Sequence, residues 1–544
     1  MIVDFTCVKT LKVFQNGEID QIFTEYRDDL IAEFDKFISN NLKDDRVWAS
    51  PISSRNTYLS QFLDDICRLI LMARYIKAGK ISRIVCFKYQ RQFFLANGCC
   101  DRQCEFVVKG RNKSKLLFNF SVILKNVFLS WLFVKQRPKS ELSVFLNCDV
   151  VDTVIYSNSF VSGRFVDRHF PNLKARKGHA QVYLARLYLA KFSDYVSLNR
   201  NINSDDGVYL KEQFFDISAY LKIIFRYLSA SFYLSTFKVS RFLVQGLDLR
   251  PVLQFYYNFE GASVGSLEGY KSAVFFEMAS CNEVRGKSYI SWYENQEHDH
   301  LANLSLRKIE LFKSTIGYRG FHSSYSCLNL FPLSVENRVG VLPKKHLVIS
   351  EYIRKETLST CPNLHIDVAP ALRYSVINKL ESPAKILVAL PVNQHEALNI
   401  LHLVCLMDFS ALESFELVIK PHPATSQDWI TSKLGGNADK LRVVYGSIDS
   451  QLGDARLLIS SASSVCIQSI MIDTPVILVG DRNHITQNPM PSMLKCDGVV
   501  VIYDEYDFLF EITKFLENTD IGYLDRYQKQ QLIAQDATQD VFYA

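Results

Sequence analysis

The sequence predicts an α/β fold built on a parallel sheet, and three observations carry that prediction. Between residues 384 and 516, apolar runs of strand length alternate with stretches of helical periodicity, the grammar of βαβ units. Two of the strand runs stop at small or polar residues, Phe415-Glu-Leu-Val-Ile-Lys-Pro-His-Pro423 and Arg456-Leu-Leu-Ile-Ser-Ser-Ala-Ser-Ser464. A composition of 48% hydrophobic and 22% charged residues over 544 positions suits several globular cores and excludes a disordered chain.

Taken in order, the C-terminal strands are expected at 384–392, 415–420, 441–445, 456–459, 475–479 and 499–503. The helices between and after them are expected at 395–409, 425–434, 447–453, 465–472 and 506–516. This pattern is Rossmann-like, and the missing GxGxxG gives no sign of a dinucleotide cofactor. In the first 350 residues, strands are expected at 81–87, 142–146, 151–156, 252–257 and 313–318. Long helical patterns such as 55–78 and 181–192 separate them, so an α/β domain with helical insertions is expected. The domain boundaries fall at 1–360, 361–525 and a polar helical tail, 526–544.

A net charge of +5 is too mild for a dedicated nucleic-acid binder. The 13 cysteines are scattered and odd in number, which argues against a secreted disulfide framework. Cys99, Cys100 and Cys104 lack zinc-site spacing, so no metal is expected there. The N-terminus has no apolar signal-peptide core, and a cytoplasmic location is expected. Residues 116–134 have the length of a spanning helix, but Asn119, Lys125 and Asn126 interrupt it. With Lys113, Lys115 and Lys135 flanking it, the stretch reads either as a core helix or as one resting on an anionic membrane surface.

The chemistry concentrates at the two strand ends. Ligands in open α/β sheets sit outside the carboxyl ends of the strands. Serine hydroxyls and free N–H groups at a helix N-terminus suit an anion. Lys420 and His422, with Ser460, Ser461, Ser463 and Ser464, are therefore the expected contacts of a nucleotide phosphate, and Pro423 belongs to the same binding turn, which it shapes. A carboxylate from the first domain is expected across the cleft, as proton acceptor or as nucleophile toward an anomeric carbon. Glu260, placed in a loop after the strand at 252–257, leads; Glu268 and His322 complete the catalytic candidates. Asp205-Asp206-Gly207, Asp149 and Asp152 are weaker carboxylate candidates, and Arg319 and Arg373 suit a sugar carboxylate.

The His-Pro and Ser-Ser elements resemble those of GT-B glycosyltransferases, specifically bacterial sialyltransferases and capsule-type Kdo transferases. The resemblance implies two Rossmann-like domains facing a cleft and a CMP-activated ulosonic-acid donor, with no separate cofactor. It implies donor-phosphate contacts at His422 and the serines. The wider GT-B pattern carries a glutamate in the helix after the serines and a glycine before the next strand; Gln468, Ser469 and Asp473 stand in that stretch here. Phe255-Tyr-Tyr-Asn-Phe-Glu260, Leu267-Glu268, Ile316-Gly-Tyr-Arg-Gly-Phe-His322 and the 480–491 run are similar to bacterial surface-carbohydrate biosynthesis proteins. These imply a surface glycan or lipid-linked glycan acceptor, reached at the inner face of the inner membrane. Two alternatives stay open: glycerol-phosphate transfer from CDP-glycerol, and a non-catalytic subunit that binds glycan or a partner transferase.

Overall fold

The computed structural model describes residues 1–6, 13–41, 44–56, 59–100, 104–109, 141–156, 159–161, 164–171, 173, 180–187, 207–407, 414–423, 425–435, 441–517, 521–534 and 538–543. The stretch 116–134 and Asp205 and Asp206 lie outside the described residues.

A small parallel sheet opens the chain, β1 (Ile2–Asp4), β2 (Arg83–Phe87) and β3 (Glu105–Lys109), in that spatial order. The first large sheet comprises β4 (Asp149–Ile155), β5 (Gln181–Leu187), β6 (Val208–Leu210), β7 (Gly286–Trp292), β8 (Phe312–Arg319), β9 (Lys345–Val348) and β10 (Ile366–Val368). The second comprises β11 (Lys385–Ala389), β12 (Glu416–Lys420), β13 (Arg442–Val443), β14 (Ala455–Ser460), β15 (Val476–Val479) and β16 (Val499–Ile502). Their spatial orders are β10-β9-β8-β7-β4-β5-β6 and β13-β12-β11-β14-β15-β16, and every pairing is parallel. Counted from its own first strand, the second sheet reads 3-2-1-4-5-6, the order of a Rossmann sheet, and the first reads the same with a seventh strand added. Two such domains in one chain make the GT-B fold. The strand order of each sheet reverses once, between β4 and β7 in the first and between β11 and β14 in the second.

Apolar runs make these central strands because both faces are covered. Along β11, Ile386 and Val388 pack into one core with Ile419 and Ile459, while Leu387 and Ala389 pack into another with Val418 and Leu458. Successive side chains alternate between faces, so an unbroken hydrophobic run serves both cores.

Three expected elements differ. Residues 252–257 lie in a helix, Arg250–Glu260, with Pro251 in its first turn and Val252, Leu253, Tyr256 and Tyr257 buried on one face. Their aromatic content suits a strand, but their burial follows helical spacing. Residues 142–146 form a short 3-10 turn, Leu142–Phe145. The helical pattern at 181–192 begins as β5, held between β4 and β6, so pairing on both sides overrides local propensity. The first sheet also reaches further than expected, because β10 is its edge and the crossing begins after Val368 rather than at 361.

Beyond the second domain, the chain returns to the first. Helix Arg526–Leu532 leads to Ala534, whose N–H donates to Ile349 O at 2.8 Å, and Phe542 is buried against Tyr318 with ring centroids 5.1 Å apart. The loop after β15, residues 480–492, forms the seam between the domains. The N–H groups of Ile485 and Thr486 donate to Asp64 Oδ1 and Asp20 Oδ1 at 2.8 and 2.7 Å. Asn488 N–H donates to Ser324 Oγ at 3.1 Å. Asp473 stands with φ +56° just before β15, where the wider pattern carries a glycine, and Lys529 holds its carboxylate at 2.7 Å. Among the described residues, no helix is long and apolar enough to cross a membrane.

Candidate functional site

The second domain offers three adjacent strand ends. β12 finishes at Lys420, whose buried ammonium donates to the Pro421 carbonyl at 3.0 Å. The next turn closes through Thr425 N–H to His422 O at 2.8 Å and leaves His422 half-buried, with Pro423 exposed beside it. β11, one strand over, runs into helix Gln394–Cys405, capped by Asn393, which accepts from His395 N–H at 2.9 Å.

β14 delivers the serines, and their hydroxyls divide the work. Ser460 donates to Ala389 O at 2.8 Å and stitches β14 to β11. Ser461 donates to Glu396 Oε2 at 2.5 Å. The Ala462 N–H reaches the same carboxylate. Ser463 accepts from Val465 N–H at 3.4 Å, and Ser464, just ahead of helix Val465–Met471, bonds the Tyr374 phenol. Glu396 therefore fills part of the serine pocket, and burial holds its carboxyl above the ordinary range. Its sequence signal, Asn393-x-x-Glu396, reads as a helix cap and nothing more.

The first domain supplies an aromatic floor at its own reversal point. Trp292 ends β7, stacking on His169 and Phe321 with centroids 4.6 and 5.4 Å apart. The Arg373 guanidinium carbon lies 5.2 Å from the Trp292 ring centre, and that of Arg168 lies 5.4 Å from the ring centre of Tyr156. Glu294, two residues past β7, accepts from the Trp292 indole N–H at 2.8 Å and from Gln296 Nε2 at 2.6 Å. Asp299 fixes that turn by accepting from the Glu294 and Gln296 N–H groups at 3.3 and 3.0 Å. Beneath it, Asp152 on β4 meets Lys211 at 3.4 Å and Arg186 at 3.5 Å. Burial alone would raise the Asp152 carboxyl, but these two cations outweigh it and hold it below the usual range.

The two sides meet in charge. Burial pushes the His422 imidazole below its usual range, and the positive charges of Lys420, Arg373 and Arg168 push it further. Among the described residues, no carboxylate pairs with Lys420, Arg168 or Arg373. A cationic cluster drawn from both domains suits an anion with more than one charged group.

The sequence-based candidates fall in different places. Lys420, His422 and the four serines gather at the carboxyl edge of the second sheet. Glu260 ends a helix rather than following a strand; it is buried, and its charge adds to the burial that pushes Glu297 up to about 7. Glu268 is paired with Lys271 at 2.7 Å, and Lys271 also holds Glu212 at 2.7 Å. The charge of Glu268 also reaches Arg186 and so joins the network under the floor. His322 is buried and bonds Leu532 O through Nε2 at 2.7 Å, with burial pushing its imidazole down to about 4. Its N–H donates to the Tyr374 phenol at 3.3 Å, the phenol that Ser464 bonds. The Arg319 guanidinium is buried, donating to Leu330 O and Ser323 Oγ at 3.1 and 2.9 Å. Trp292 and Glu294 escaped the sequence reading because β7 itself did; Arg168 and Glu396 escaped it because no motif sets them apart from an ordinary loop arginine and a helix cap. The cue available for Glu294 was its place two residues after a tryptophan, in Trp292-Tyr-Glu294.

No family model matches the chain, and no curated protein matches its sequence. Among solved structures, MnaA of S. aureus, solved with UDP, superposes with a TM-score of 0.40 and 10% identity, covering 72% of this chain and 92% of that one. UDP-GlcNAc 2-epimerase of Neisseria meningitidis, bound to UDP-GlcNAc, gives 0.38 and 10%, covering 72% and 95%. A mutant of S. aureus TarM, in complex with Fondaparinux, alpha-GlcNAc-glycerol and UDP, gives 0.33 and 11%, covering 49% and 57%. The superpositions are partial, and it is the order of the strands in the two sheets that makes this chain a two-domain, GT-B-type α/β protein.

Proposed function

We propose that this chain is a glycosyltransferase that moves an ulosonic-acid-type sugar, such as Kdo or a sialic-acid relative, from a CMP-activated donor to a bacterial surface glycan. The observation that carries the reading is the cluster of Lys420, Arg168 and Arg373 around His422, shared between the domains at the strand ends. A CMP-linked ulosonic acid brings two anionic groups, a phosphate and a sugar carboxylate, which suits a cluster with two arginine forks. The half-buried rings of His169 and Phe321, stacked on the buried Trp292, offer apolar surface for a sugar ring. The acceptor class rests on the sequence resemblance, as does its place at the inner membrane face.

In this reading Glu294 takes the proton of the acceptor hydroxyl. The acceptor oxygen bonds to the anomeric carbon as the bond from that carbon to the phosphate oxygen breaks. CMP departs with its charge met by His422, Lys420 and the arginines. Glu294 takes the role expected of Glu260, since Trp292 joins it to Arg373 while Glu260 is buried at a helix end.

Calorimetric titration with CMP, UDP, GDP and ADP, followed by product analysis with CMP-sugars, tests the proposal. CMP is expected to bind most tightly, and the product is expected to contain a glycosidic bond. Preference for UDP would overturn the donor, a phosphodiester product would point to glycerol-phosphate transfer, and failure to bind any nucleotide would overturn the function.

A further inference from the structure

We propose that His395, Asp481 and His484 bind a divalent transition-metal ion of the zinc class, at a site separate from the cationic cluster. His395 Nδ1 and His484 Nδ1 lie 3.1 and 3.2 Å from the same Asp481 oxygen, and the three ligand atoms all lie within 4.8 Å of one another. In a tetrahedral zinc site with bonds of about 2.1 Å, neighbouring ligand atoms stand about 3.4 Å apart. The two His–Asp separations are within a few tenths of an ångström of that spacing, and side-chain rotation of the partly exposed imidazoles would bring the third edge to it. Two nitrogens and one oxygen select a late first-row ion over magnesium or calcium, which prefer all-oxygen shells.

The carboxylate is already oriented. Asp481 Oδ1 accepts from Asn483 N–H at 2.8 Å, and Oδ2 accepts from Asn399 Nδ2 at 3.2 Å. Supporting bonds of this kind fix ligand direction at metal sites. The histidines come from two elements, the first turn of helix Gln394–Cys405 and the loop after β15. A helix N-terminus disfavours a cation. Three carboxylates oppose that effect: Asp481 itself, Glu396, and Asp64 from the first domain, each close enough for its charge to act on a neighbour in the group. The His395 and His484 side chains are 41% and 25% exposed, so the site lies next to solvent although His484 Nδ1 itself is buried.

The ion would clamp the 480–492 loop to the helix that carries Glu396. That loop is the domain seam, through Asp20, Asp64 and Ser324. The metal would thus brace the relative setting of the two domains rather than take part in transfer.

The test uses tag-free full-length protein, stripped with a chelator and dialysed. Zinc chloride is titrated against a chromophoric chelator, and cobalt chloride is followed by its visible spectrum. One equivalent of zinc is expected to bind, magnesium is expected not to compete, and cobalt should show a nitrogen- and oxygen-ligated spectrum. Asp481→Asn and His484→Asn should each weaken zinc binding about tenfold or more. His402→Gln, on the same helix as His395, should leave binding unchanged. Circular dichroism checks that the variants fold. Absence of a stoichiometric zinc site in the wild-type chain would overturn the proposal, as would full retention by a folded double variant of Asp481 and His484.

Discussion

His422→Ala is expected to lower turnover about 100- to 1000-fold, a loss of about 3–4 kcal/mol of transition-state stabilisation. The half-buried imidazole stands with Lys420, Arg168 and Arg373, and burial first, then those charges, disfavour its protonated form when nothing is bound. An arriving phosphate reverses that balance, so the imidazole takes a proton and donates to the leaving group. Alanine removes the donor and leaves the departing charge to the remaining cations. Steady-state kinetics with a CMP-sugar measures the effect. Turnover within about threefold of wild type, far short of the loss of one such donor, would remove His422 from the chemistry.

Glu294→Gln is expected to lower turnover by about 1000-fold, within the range for loss of a general base, while CMP affinity stays near wild type. Glutamine keeps the shape and can still accept from the Trp292 indole, 2.8 Å away in the native side chain. It cannot take the acceptor proton. Glu260→Gln supplies the contrast. Its carboxyl is buried beside Glu297, so the change should move the thermal midpoint rather than the turnover. Glu294→Gln retaining more than about a tenth of wild-type turnover would exclude the base role, since such a base contributes at least a hundredfold.

The second domain was legible because its central strands, β11, β12, β14 and β15, are apolar runs buried on both faces with Gly, Pro or Ser at or just past their ends. Five of its six expected strands match to within about two residues at each end, the ordinary scatter of such boundaries; the opening one, expected at 384–392, stops three residues early at Ala389. The first domain was harder to read. β9 and β10 have only four and three residues, too short for a periodic signal. β7, Gly-Lys-Ser-Tyr-Ile-Ser-Trp, carries serine and lysine among its apolar residues and has no clean alternation. With β7 unread, the turn bearing Glu294 could not be placed at a reversal point. Helix Arg250–Glu260 then drew attention through its aromatic residues, which fill a core rather than a cleft. The serine cluster was found, but nothing in its spacing reveals that Glu396 engages Ser461. That bond depends on β11 and β14 being neighbours.

The central claim is that one anion is held from both domains at His422. Calorimetric titration of CMP into the wild-type chain, Arg168→Ala and His422→Ala, at about pH 8 and about pH 6, tests it most directly, these values bracketing an unperturbed histidine. Binding to wild type should tighten as the pH falls, because the anion draws a proton onto an imidazole whose pKa the empty site depresses. Arg168→Ala should weaken binding about tenfold at both pH values, the scale of one charge-assisted contact, although Arg168 belongs to the opposite domain. His422→Ala should bind weakly and lose the tightening at the lower pH, since the phosphate itself gives up charge at about pH 6. Wild-type affinity in Arg168→Ala, together with pH-independent binding to the wild-type chain, would contradict the claim.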